Sequence, residues 1–331
     1  MNLIFDIASS IDFWRKKYPA NRAPKAPAQL LPPSDCATRI ADIRALVESR
    51  NARDLCGIGG GKLDVLAFNT SRCRQSEYRA VHEWRGPIPE GSFYELCPNV
   101  FVESPPFMFL QAASILSLSS LIAFGDELCG FYSFDQREAR GFRRRSMPLA
   151  TKQELARCLD QAKGCRGSAQ ARKALDLIVE KSASPMETFD EMTIALPYRH
   201  GGYSMRTPEM NQEITLTWKA ARIAKRSKCF LDMGFLPIPL DLEHHGKLDH
   251  SSEEEIASDR ARVNALKEMG LEVIELTIDQ VSDLVAYELI IQRIARILGK
   301  RLPKDQLGAT PQRLALRKDL FSWNASSGKI R

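Results

Sequence analysis

The sequence predicts an α/β protein of two parts: a C-terminal mixed sheet flanked by helices, preceded by a smaller α+β domain. Three observations carry this expectation. At 331 residues the chain is long enough for two domains, each with its own core. A stretch dominated by Arg and Lys, between Arg137 and Lys173, separates two regions of ordinary composition. Beyond it, residues 184–302 run in the order helix, three strands, helix, strand, helix. The expected division is residues 1–150, a basic helical connector over 151–183, the sheet domain over 184–302 and a tail over 303–331.

The elements follow from local pattern. Ala20 to Ser34, rich in Pro and Ala, reads as an extended linker. Ile40, Ile43, Leu46 and Val47 have the spacing of an amphipathic helix. Gly57 to Gly61 breaks the chain before strand-like stretches at Leu63 to Phe68, Tyr78 to Trp84, Phe93 to Leu96 and Val100 to Val102. Ser104-Pro105 opens an apolar helix expected to continue to Leu121. In the C-terminal part, Ser184-Pro185 begins a helix, and Glu213 to Trp218, Cys229 to Phe235 and Ile238 to Glu243 read as strands. Ser258 to Met269 is a helix stopped by Gly270, and Leu271 to Thr277 is an apolar strand. Asp279 is expected to cap a long final helix.

Composition removes several function classes. The net charge of +6 suits a polyanionic partner without demanding one. Eight cysteines include no CxxC pair, which argues against a zinc ribbon or a thioredoxin motif and for reduced thiols in a cytoplasmic protein. Asp6 and Asp12 interrupt the apolar N-terminus, so no secretory signal is expected. Pro105 to Phe124 contains Gln111 and several serines and reads as a buried helix, so no membrane partner is expected. Gly57-Ile58-Gly59-Gly60-Gly61-Lys62 lacks the Ser or Thr of a phosphate loop, since Leu63 follows the lysine. His82 and His200, each alone, read as structural or surface residues.

Four acids in the C-terminal part stand out. Glu187 opens a helix, Asp232 lies inside an apolar strand, Glu243 closes the next strand beside His244-His245, and Asp259 begins a helix with Arg262. An acid within a strand is costly unless something compensates it. Two adjacent strands that deliver acids to one edge point to a shared cation. Carboxylate-bound Mg²⁺, or Mn²⁺, neutralises a scissile phosphate and generates hydroxide near neutral pH. Glu187, Asp232 and Glu243 are the expected ligands. His250 or His245 is expected to handle the proton. The clustered His244, His245 and His250 read either as part of such a site or as an exposed polar loop. Asp259 and Arg262 are spaced for an ion pair on one helix face, and Glu187 also suits a helix N-terminus electrostatically.

These residues resemble a known family. Ser184-Pro185-Met186-Glu187-Thr188, Gly201-Gly202-Tyr203 and Pro208-Glu209-Met210-Asn211 look like the endonuclease-domain proteins common in actinobacteria. So do the Asp232 strand, Asp241-Leu242-Glu243-His244-His245-Gly246 and Asp259-Arg260-Ala261-Arg262. The resemblance implies a fold of the very-short-patch-repair branch of the PD-(D/E)XK superfamily, with Asp232 and Glu243 at a metal and DNA as the partner. Arg143, Arg144, Arg145 and Arg262 are the expected phosphate contacts. Upstream, Val81 to Trp84, Pro87 to Phe93 and Val102 to Leu128 resemble the effector region of AbiEi-type antitoxins. The sequence departs from the nuclease pattern where relatives carry Glu-Tyr-Asp-Gly, and His245 stands at the usual lysine position. Asp249 replaces an expected histidine, with His250 one place later. Three functions remain open: a metal-dependent DNA endonuclease, a non-catalytic DNA-binding or antitoxin-like regulator of the same fold, and an interaction module that docks through Pro105 to Leu128.

Overall fold

A computed structural model describes residues 1–16, 36–56, 62–68, 75–245, 253–303 and 310–330. The architecture is mixed α/β, divided into two compact units: Met1–Ile178 with Ala325–Arg331, and Val179–Asn324. Among the described residues no helix is long and apolar enough to cross a membrane. The expected linker at 20–34 and the glycine loop at 57–61 lie outside the described residues.

The N-terminal unit is built on five strands: β1 (Leu3–Phe5), β2 (Leu63–Phe68), β3 (Arg79–Trp84), β4 (Phe93–Cys97) and β5 (Val100–Glu103), in the order β3-β2-β1-β5-β4. β1 is wholly buried and runs parallel to β5 and antiparallel to β2. Its run of three apolar residues fits a central strand covered on both faces. Helix α1 (Ile7–Lys16) follows at once and is entered through the Asp6 carbonyl, which accepts from the amides of Ser9 and Ser10. Helices α2 (Ile40–Ser49) and α3 (Ala52–Cys56) precede β2.

The helix expected from Pro105 to Leu121 is two helices, α4 (Pro105–Ala112) and α5 (Leu118–Cys129). Apolar periodicity continues across the break, but the Ser117 hydroxyl accepts from the Ser120 amide and starts a new helix. Both are core elements: Phe107, Leu110, Leu121 and Phe124 have no exposed surface. Of the docking surface expected there, residues 107–113 and 121–128 are buried, and Ile115 between the two helices is 50% exposed.

The basic connector also proves to be part of this unit. It folds as a hairpin, β6 (Tyr132–Phe134) with β7 (Phe142–Arg144), then α6 (Lys152–Gln161) and α7 (Ser168–Leu177). A capping box between Thr151 and Glu154 starts α6, and Leu155, Leu159, Ala171 and Ala174 are fully buried. The division between units falls after Ile178, beyond the basic run.

The C-terminal unit carries α8 (Pro185–Ala195), β8 (Glu209–Thr215), α9 (Trp218–Ala224), β9 (Lys228–Gly234), β10 (Leu240–His245), α10 (Glu253–Glu268), β11 (Glu272–Thr277), α11 (Ile278–Ser282), α12 (Leu284–Ile297) and α13 (Pro311–Ala325). Its sheet has the order β11-β10-β9-β8, with β10 parallel to β11 and the other pairs antiparallel. The expected order of elements is present with three differences. β8 begins at Glu209 and ends before Trp218, which instead opens the unexpected helix α9. The final helix is broken in two, Thr277 capping α11 and Asp283 capping α12. The expected tail holds α13, which buries Arg313, Leu316, Arg317, Leu320 and Trp323. Close packing there explains one glycine of the family-like string. Gly201 sits at φ +89°, and a Cβ on it would come within 2.4 Å of the Gln312 carbonyl oxygen.

Candidate functional site

The candidate site is built on β9 and β10. Strand alternation sends Asp241 and Glu243 to one face of β10 and His244 to the other. On the first face α10 supplies Arg262. Asp241 and Glu243 are almost wholly buried. The Arg262 guanidinium donates through Nη1 and Nη2 to the two Glu243 carboxylate oxygens. The same Nη1 donates to the Phe230 carbonyl at 3.3 Å and lies 3.8 Å from Asp232 Oδ1. Asp241 Oδ1 accepts from the Met233 amide at 3.2 Å, and its Oδ2 is buried without a hydrogen-bond partner among the described residues.

The electrostatics follow from this crowding. Burial, then the neighbouring Glu243 and Asp232, push the Asp241 carboxyl up to about 10, so it is a neutral acid at pH 7. Burial works against the charge of Arg262, yet Glu243 and Asp232 outweigh it and hold its proton more firmly than usual. Arg262 thus serves Glu243 directly and Asp232 at longer range, and Asp241 favours its protonated form.

Glu187 is placed differently. Its amide donates to Ser184 Oγ at 3.1 Å, and its own Oε2 accepts from the Ala183 amide at 2.8 Å and from Asn211 Nδ2 at 3.0 Å. It closes the entry of α8, the electrostatic role its position at a helix N-terminus allows. Among the described residues, no group of three or more His, Cys, Asp or Glu side chains is placed to hold a metal ion. His245 ends β10 opposite Thr277 in β11. His250 and Asp249 lie outside the described residues.

The other face of β10 carries a network that sequence reading missed. His244 Nδ1 is 3.0 Å from Asp190 Oδ2, and Asp190 Oδ1 accepts from the Tyr287 hydroxyl at 2.8 Å. Asp190 lies on α8 and Tyr287 on α12, and both are buried. Arg317 of α13 stacks over Tyr287, 5.2 Å from the ring centroid, and donates to the Val281 carbonyl at 2.6 Å. Beside it, the Tyr203 hydroxyl donates to Glu288 and Arg313 lies 3.8 Å over the Tyr203 ring. His244 therefore serves a buried polar network.

Of the expected phosphate contacts, Arg144 is exposed and Arg143 half-buried on β7. Arg145 is a correction: it is 5% exposed, and its Nη2 donates to the carbonyls of Glu127, Gly130 and Tyr132. Burial lowers its pKa to about 10, and its task is to tie the β6–β7 hairpin to α5. Arg262 is a second correction, since its fork is engaged by Glu243. Its partner is not the helix neighbour Asp259 but a strand residue far away in sequence.

The N-terminal unit has an acidic cluster of its own. His82 Nε2 lies 3.0 Å from Asp64 Oδ1 and 3.8 Å from Asp6 Oδ2, beside a cavity of about 490 Å³. Burial raises the Asp6 and Glu103 carboxyls, and Asp64 holds the His82 proton above its usual range.

No protein-family model matches the chain, and no curated protein and no solved structure does so either.

Proposed function

We propose that the C-terminal unit binds nucleic acid without hydrolysing it, Arg262 acting as the built-in cation of its carboxylates. The observation behind this reading is the fork of Arg262 on both oxygens of Glu243. A divalent ion needs those oxygens as hard ligands. Glu187, the third expected ligand, is engaged by Ala183 and Asn211. As arranged, this donor set does not fit Mg²⁺ or Mn²⁺, and no catalytic step is derived through either ion. Binding is supported by the exposed Lys219, Arg222 and Lys225.

The test is incubation of the full chain with supercoiled and single-stranded DNA in Mg²⁺ and in Mn²⁺. Retention of DNA that weakens with salt, with no cleaved product, is the expected result. Metal-dependent cleavage that disappears in Asp232→Ala would overturn it.

One observation favours a second reading, the metal-dependent DNA endonuclease of the family resemblance. Asp241 Oδ2 is buried without a hydrogen-bond partner among the described residues, and the carboxyls of Glu243 and Asp232 both raise its pKa. A second cation would relieve that repulsion. The same cleavage assay separates the two readings.

A further inference from the structure

Helix α9 turns small residues inward. Ala220 and Ala224 are buried in the core with Leu216, Cys229 and Leu231, and Ala221 packs against the same cluster. Its outward face carries Trp218, Lys219, Arg222 and Ile223, all exposed, and the chain leaves the helix through Lys225 at φ 53°. Trp218 is 75% exposed, more than any other large apolar side chain among the described residues, with Phe230 at 50% nearby in sequence on β9. An indole left in water on a short helix forgoes a large burial gain and leaves a flat apolar ring accessible to a partner.

Along the chain from Trp218 to Lys228 every charged residue is basic. Lys219, Arg222, Lys225, Arg226 and Lys228 fall within one stretch. Among the described residues only Lys228 has a carboxylate partner, Glu213 at 2.6 Å, and Arg226 donates to the neutral Ser258 hydroxyl at 3.0 Å. The Arg222 guanidinium stands 5.8 Å from the Trp218 ring centroid, a cation–π spacing that braces the ring at the surface. A flat apolar platform with Arg222 against it and further cations along the same stretch complements a polyanion that offers unstacked aromatic faces. A second copy of the chain would set five cations against five.

We propose that the outward face of α9 binds single-stranded nucleic acid, Trp218 stacking a base and Lys219, Arg222 and Lys225 contacting backbone phosphates. A duplex keeps its base faces inside the helix, so it engages the cations and leaves the indole idle. The proposal rests on the nucleic-acid reading of this unit and adds the surface and the strand form.

Fluorescence anisotropy of the full chain with labelled oligothymidylate, a hairpin duplex and anionic phosphatidylserine vesicles tests it. Trp218→Ala is expected to weaken oligothymidylate binding about ten-fold or more and to leave duplex binding unchanged, with Trp218→Phe restoring most of the loss. Removing Lys219, Arg222 or Lys225 is expected to reduce the salt dependence, by a slope of about 0.7 per lost phosphate contact. Single-strand binding indifferent to Trp218→Ala, or Trp218-dependent binding to vesicles alone, would overturn the proposal. Duplex binding with no Trp218 effect on any ligand would sink this inference and leave the nucleic-acid reading standing. Failure of the wild type to bind either nucleic acid at low salt would remove both.

Discussion

The two faces of β10 meet the same problem with different chemistry. Glu243 and His244 are consecutive, and each brings a buried polar group into contact with a helix. On the Glu243 face a full positive charge compensates Glu243, and burial, then the neighbouring Glu243 and Asp232, keep Asp241 protonated. On the His244 face Asp190 is satisfied by an imidazole and a phenol hydroxyl, with Arg317 stacked above. The first arrangement concentrates charge at one residue, and the second distributes hydrogen bonds over several. Loss of a single group should therefore be far more damaging on the first face than on the second.

Arg262→Ala tests the largest difference. It leaves Glu243 buried without its cation and is expected to cost about 3–5 kcal/mol in urea unfolding, as for other broken buried pairs. Arg262→Lys, which returns the charge without the fork, should recover part of this. A loss below about 1 kcal/mol for the alanine variant would mean that Glu243 reaches solvent or a second cation. On the opposite face, Tyr287→Phe removes one hydrogen bond from buried Asp190 and is expected to cost about 1–3 kcal/mol. Equal costs on the two faces would break the comparison.

Asp241→Asn sharpens it through pH. The folded carboxyl holds its proton up to about 10, against an unperturbed value of 3.8. The folded state therefore binds more protons than the unfolded chain between these values, and the wild type loses stability as pH rises through that window. The asparagine keeps the acceptor for the Met233 amide and carries no charge, so its melting temperature should gain on the wild type between pH 6 and pH 9. Parallel curves would show that Asp241 is ionised in the fold. The smallest expected effect is that of Trp218→Ala on folding, within about 0.5 kcal/mol, because the side chain is exposed.

Much of the C-terminal sheet was legible. Alternation in Leu240-Asp241-Leu242-Glu243 set two acids on one face, and that face is where the site lies. Arg262 was legible as an ion-pairing residue, but the nearest acid on its own helix drew the pairing. Its partner Glu243 is 19 residues away, a separation that periodicity does not report. The Asp190–His244–Tyr287 network spans still longer separations and left no local signal. Helix α9 was hidden because its buried face is alanine, which has little apolar contrast with its neighbours, and Trp218 looked like the end of a strand. Arg145 shows the limit of charge counting. A run of three arginines reads as a surface, yet one of them is buried against three backbone carbonyls.

In the proposed reading, Arg262 holds the place a metal would take at Glu243 and Asp232. Calorimetric titration of Mn²⁺ into the full chain, beside Asp232→Asn and Arg262→Met, tests it most directly. No saturable binding at these carboxylates is expected in the wild type, with a site that appears only when the guanidinium is removed. Stoichiometric Mn²⁺ binding by the wild type, lost in Asp232→Asn, would contradict it.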